Sequence, residues 1–145
     1  MDQVAAIEKF CSTLCWLTNL VYSRNKTNEW LCTAKSRLSI AKNEAPVTLA
    51  TLAGPIILEY AAQISARDEK WLLTNDFIDE FNKNKNRFKE ELKNNKDISE
   101  SEFKTILKLL QDEYRSMNET DRDMVWSKAK ILLGSAATCK FTNLF

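Results

Sequence analysis

An all-α fold, read as a single-domain helical bundle (residues 1–145) of five to seven helices, follows from three observations on this sequence. The chain of 145 residues holds only two Gly and two Pro. All-β folds need frequent turns, and turns draw on those residues, so long helices with few connections are favoured. Apolar residues recur at spacings of three and four, the period of one face of a helix. Several polar stretches also carry the cap residues that start helices.

The first helix is expected from about Asp2 to Tyr22. Ile7, Phe10, Leu14, Leu17 and Val21 form its stripe, widened by Val4, Cys11 and Cys15. Trp16 and Leu20 lie off that stripe, so the helix is apolar on more than one side, as in a helix that is central in a bundle or lends a face to a partner. "SRNKTNEW" is a polar turn in which Thr27 or Asn28 caps a second helix. That helix runs to about Lys42 through Trp30, Leu31, Ala34, Leu38 and Ala41. Pro46 suits the first turn of a third helix. Gly54-Pro55 then predicts a kink between two pieces, about 46–53 and 55–65, because Pro55 has no N–H and disfavours helix at the residue before it.

"ARDEKWLLTNDF", residues 66–77, crowds charges around Trp71, Leu72 and Leu73. It is read as a joint between helices, with the apolar trio pinning the connection. Asn75 or Asp76 caps the next helix, whose inner side holds Phe77, Phe81, Phe88 and Leu92. Asp79 and Glu80 in its first turn, and Lys89, Lys93 and Lys96 near its end, suit the helix dipole. In "DISESEF", Ser99 and Glu102 make a capping box, with Ile98 and Phe103 as a hydrophobic staple. The helix that follows reaches about Met117 through Ile106, Leu107, Leu110 and Tyr114. The last helix is expected to start at a Thr120 cap and to carry Val125, Trp126, Ala129, Leu132, Leu133 and Ala136.

Composition excludes several function classes. There is no His, which removes Ser-His and Cys-His pairs and every His-containing metal site. The net charge of +1 gives no global pull toward nucleic acid or an acidic membrane. The charges are unevenly placed: 11 lie in residues 1–64 and 30 in residues 65–145. Cys11 and Cys15 share a helix face, but zinc thiolates come in close pairs and no second pair exists, so buried thiols are expected. Asp2 and Glu8 stand where a secretory signal would be basic, and an intracellular setting is expected. The uncharged runs Phe10–Ser23 and Ala45–Leu58, 14 residues each, fall short of the roughly 20 apolar residues of a membrane span.

No cofactor is implied. Both glycines are isolated, so no phosphate-cradling loop exists. Acid pairs such as Asp112/Glu113 are adjacent residues that do not share a helix face. Residues 82–96 hold six basic side chains, but Lys83, Lys85, Arg87 and Lys89 are two apart and splay around a helix, while Lys93 and Lys96 follow Glu90 and Glu91.

The order "LAGPIILEYAAQI", "ARDEKWLLTNDF", a helix and then "DRDMVWSKAKILLGSA", over residues 50–137, resembles small helical proteins of large nucleocytoplasmic DNA viruses. Those proteins are largely of unassigned function. The resemblance implies a viral origin and a virion or assembly component in the host cytoplasm or the virion. The preferred reading is a non-enzymatic protein-interaction or structural module that contacts another protein or a second copy. Its candidate contacts are Trp16, Leu20, Trp71, Phe141, Leu144 and Phe145, the aromatic and apolar residues least explained by one core stripe. The alternatives are a nucleic-acid-binding module through Lys83, Lys85, Arg87, Lys89, Lys93 and Lys96, and a helical-bundle modulator of host signalling such as apoptosis.

Overall fold

A computed structural model describes residues 2–91 and 100–141, and of these the side chains of all but 85–91 and 141. The described residues are all-α. They form eight helices: α1 (Gln3–Arg24), α2 (Glu29–Glu44), α3 (Pro46–Glu59), α4 (Ala61–Ser65), α5 (Glu69–Thr74), α6 (Ile78–Glu91), α7 (Glu100–Ser116) and α8 (Glu119–Phe141). Against the five to seven expected, the short α4 and α5 make the difference. The chain groups into two compact units, residues 1–68 with 117–145, and residues 69–116.

In the first unit, α1 packs most extensively on α8 and then on α2 and α3. Ala6, Ile7, Phe10 and Cys11 of α1 share a core with Ala50 of α3 and with Leu132, Ala136 and Cys139 of α8. Ala at three of these positions lets the helices approach closely, and Phe10 fills the space they leave. The helix apolar on several sides is thus the one with neighbours on several sides. By length and composition α1 could cross a membrane, and 28 % of its most apolar window is buried in this structure.

Three helix starts carry a side-chain cap. Asp2 Oδ1 accepts from the Ala5 N–H at 2.7 Å and Asn28 Oδ1 accepts from the Leu31 N–H at 3.1 Å. Asn118, two residues before the expected Thr120, caps α8 by accepting from the Asp121 N–H at 2.8 Å. The residue before the helix is better placed than the threonine, which lies inside the first turn. Pro46 opens α3 as expected. Ser99 of the expected capping box lies outside the described residues.

The expected division at Gly54-Pro55 is not seen. α3 runs through both residues and ends at Glu59, and the interruption falls at Tyr60, before α4. The clash that bars helix before a proline involves the preceding Cβ. Gly54 has none, so this dipeptide keeps helical geometry at a lower cost than other X-Pro pairs would.

In the second unit, α6 and α7 pack on each other, with the Phe81 and Phe103 rings stacked 4.6 Å apart. Its buried residues are few: Tyr114 and Asn84 among those described. Asn84 donates to the Glu80 carbonyl oxygen at 2.9 Å and to Glu80 Oε2 at 3.1 Å. Ile106 and Leu107 are half-buried and Leu110 is 38 % exposed.

Candidate functional site

The crowded stretch 66–77 was the most suggestive in the sequence, and its geometry explains most of its residues. α4 closes in a Schellman arrangement. The Asp68 N–H reaches the Gln63 carbonyl at 3.0 Å and the Arg67 N–H reaches the Ile64 carbonyl at 3.2 Å. The closing residue of that motif takes a left-handed conformation and is usually Gly. Here it is Arg67, at φ 51°. Its guanidinium reaches Glu119 at 2.9 Å and Asp123 at 2.5 Å, one turn apart on α8. The hydrogen bond from Arg67 holds the Asp123 carboxyl below its usual range. A side chain with this reach offsets a backbone geometry that Gly would adopt without strain.

α5 is held by α7. A six-residue helix leaves its last carbonyls without intrahelical partners. Gln111 Nε2 donates to the Leu72 and Asn75 carbonyls at 2.9 and 3.0 Å, and Arg115 donates to the Leu73 carbonyl at 2.9 Å. The Tyr114 hydroxyl donates to Glu69 Oε1 at 2.6 Å. Positions 111, 114 and 115 share one helix face, so one side of α7 serves both ends of α5. Trp71 meets Phe77 edge-on with ring centres 5.2 Å apart. Phe77 is also left-handed (φ 53°), and its N–H bonds to Asn75 Oδ1 at 2.8 Å, an Asx turn leading into α6. The cluster is a hydrogen-bonded joint.

The thiols are buried or half-buried on α1 and α8, apart from Cys32, which is exposed. Burial first, and then the neighbouring Cys15 and Cys139, push the Cys11 thiol up to about 11. Burial also raises Cys15 and Cys139. Cys11 Sγ lies 3.5 Å from the Pro46 carbonyl oxygen and Cys15 Sγ lies 3.7 Å from that of Leu38. These are thiols donating to backbone, held neutral by apolar surroundings. Among the described residues no group of three or more Cys, Asp and Glu is placed to hold a metal.

The expected contact residues are dispersed. Trp16 is half-buried, with Lys128 Nζ 4.8 Å from its ring centre, and Leu20 is half-buried on the same helix. Trp71 is half-buried within α5. The Phe141 side chain, Leu144 and Phe145 lie outside the described residues. Of the basic candidates Lys83 is exposed on α6. The side chains of Lys85, Arg87 and Lys89, and all of Lys93 and Lys96, fall outside that description.

Three residues that the sequence assigned to inner stripes sit on the surface: Val4, 73 % exposed at the start of α1, Trp30, 39 % exposed, and Leu110. Trp30 precedes Leu31 by one residue, about 100° around the helix, and Leu31 is the residue that α2 buries. The angle between them was the available signal. Leu110 had no such warning, since it lies in register with Tyr114. No protein-family model matches this chain, and neither does any curated protein or solved structure with which it was compared.

Proposed function

We propose that the chain is a non-enzymatic protein-interaction or structural module, and that α7 carries its main contact. The observation behind this reading is the incompletely covered stripe of α7. Ile106, Leu107 and Leu109 are half-buried and Leu110 is exposed, on a helix whose other positions are strongly charged. An amphipathic helix with an open apolar edge is a common recognition element. Trp16, Leu20 and Trp71 remain the aromatic and apolar anchors proposed beside it. The resemblance of residues 50–137 to small viral helical proteins suggests the setting, a virion or assembly component.

The test is a pull-down of the tagged full chain from cells that make its natural partners, with and without nuclease, beside Leu110→Glu. A stoichiometric protein that survives nuclease and is lost with Leu110→Glu, while helicity by circular dichroism is unchanged, is the expected result. Equal recovery with the variant would remove α7 as the contact. Partners that vanish with nuclease would favour the nucleic-acid reading through Lys83 and its neighbours.

A further inference from the structure

Of its sixteen residues α2 buries only Leu31. Its inner side is turned to α1, where Lys35 Nζ lies 4.4 Å from the Tyr22 ring centre and the Cys15 thiol reaches the Leu38 carbonyl. Its outward side is not uniformly polar. At about 100° per residue, Trp30, Thr33, Arg37, Ile40 and Glu44 fall within an arc of about 80°, turned away from Leu31. All five are exposed, Ile40 at 56 %. Their spacing of 3, 4, 3 and 4 is that of the seam along which one helix packs on another. Among the described residues neither Arg37 nor Glu44 has an ion-pair partner.

The charge pattern of this seam selects its occupant. Laid antiparallel on itself, about a two-fold axis between Leu38 and Ser39, the seam sets Arg37 opposite Ile40 of the second copy. Glu44 follows Ile40 by one turn, so the Arg37 stem covers Ile40 while its guanidinium reaches the Glu44 carboxylate of that copy. The axis makes the contact twice, as in any isologous pair. Trp30 closes each end. A parallel pairing would set Arg37 against Arg37 and Glu44 against Glu44. A nucleic acid running along the helix would meet Glu29 and Glu44 at its two ends, with Arg37 the only basic residue of the seam.

We propose that the outward face of α2 is a self-association surface. A second copy of the chain docks on it antiparallel, with Arg37 of each copy paired to Glu44 of the other. A single helix-on-helix contact buries less than the roughly 1,600 Å² of a standard interface, so the dimer is weak and concentration-dependent. The contact lies within the first unit and does not rest on the α7 reading.

Sedimentation of the full chain between about 10 µM and about 1 mM should show a monomer–dimer equilibrium. Arg37→Glu and Glu44→Arg should each weaken the dimer at least about tenfold, since each turns both ion pairs into like charges. The double variant Arg37→Glu/Glu44→Arg rebuilds both pairs with exchanged signs, and should return to within about threefold of the wild type. Positions 37 and 44 lie two turns apart and do not pair within one helix, so circular dichroism should show equal helicity in all four chains. Leu110→Glu should leave the equilibrium unchanged. A wild-type chain that stays monomeric at the highest concentration, a dimer indifferent to either single variant, or a double variant as weak as the single ones would overturn the proposal. A dimer lost with Leu110→Glu and kept in the α2 variants would move self-association to α7 and overturn it equally.

Discussion

The two units solve the burial problem differently. α1, α3 and α8 carry apolar and small residues around much of their circumference, and they surround one another, so Ala6, Phe10, Ala50, Ala136 and Cys139 are fully covered. α6 and α7 carry one apolar stripe each and pack on each other. Two amphipathic helices share a single seam, and whatever lies off it stays partly wet, as Leu110 does. Among the described residues the second unit is also tied by polar bonds: Gln111, Tyr114 and Arg115 to α5, and Asn84 to Glu80. A net hydrogen bond contributes about 1 kcal/mol, less than a buried large side chain. The contrast teaches that helical content alone says little about where stability lies.

The sharpest way to break this comparison is to cut one aromatic ring from each unit. Phe10→Ala should cost about 3–5 kcal/mol in urea unfolding, since it empties a fully buried site. Phe81→Ala, at a half-buried site, should cost less than about 2 kcal/mol. Equal costs would end the distinction between the units.

Alkali should single out the first unit. The Cys11 thiol is raised from 9.0 to about 11 in the folded protein. The unfolded chain therefore loses that proton first. The stabilising contribution is complete below about pH 9 and is lost as pH rises from 9 to 11, on the order of 3 kcal/mol at the far end. Stability measured against pH should show this fall in the wild type, and a smaller one in Cys11→Ala.

The glycine that keeps α3 continuous can be tested by giving it a Cβ. Gly54→Ala should destabilise by about 1–2 kcal/mol, against the usual helix preference for Ala, because the new Cβ meets the Pro55 ring. Stabilisation would remove that explanation of the unbroken helix.

At the left-handed position before the second unit, Arg67→Gly should leave the protein about 1 kcal/mol more stable than Arg67→Ala. Both lose the ion pairs, and only Gly relieves the backbone. Thermal melts of the two variants decide it. The smallest effect is expected at Gly134, exposed on α8, where an added Cβ would meet nothing within 4 Å. Gly134→Ala should stabilise by about 0.5–1 kcal/mol.

Much of the candidate site was legible as residue types and little of it as geometry. The stretch 66–77 was recognisable as a joint, because a helix precedes it and Asn75 and Asp76 are turn residues. That α5 is itself a helix, and that α7 supplies its caps, was not readable. Gln111 and Arg115 lie about forty residues away, and side-chain to backbone bonds leave no periodic trace. The left-handed Arg67 was hidden for a related reason: its sequence signature is Gly, and this chain uses an ion pair instead.

By itself the sequence determined the helical class, the place of most helices, the cap at Asn28, and the centrality of α1. Each of these rests on local periodicity or on a side chain bonding to backbone within a few residues. Only the tertiary structure decided the division into two units, the continuity of α3 through Pro55, the exposure of Trp30 and Leu110, and the raised Cys11 thiol. These depend on which surfaces meet across long stretches of chain. A helix stripe states which side seeks cover, and the packing of distant residues determines how much cover it finds.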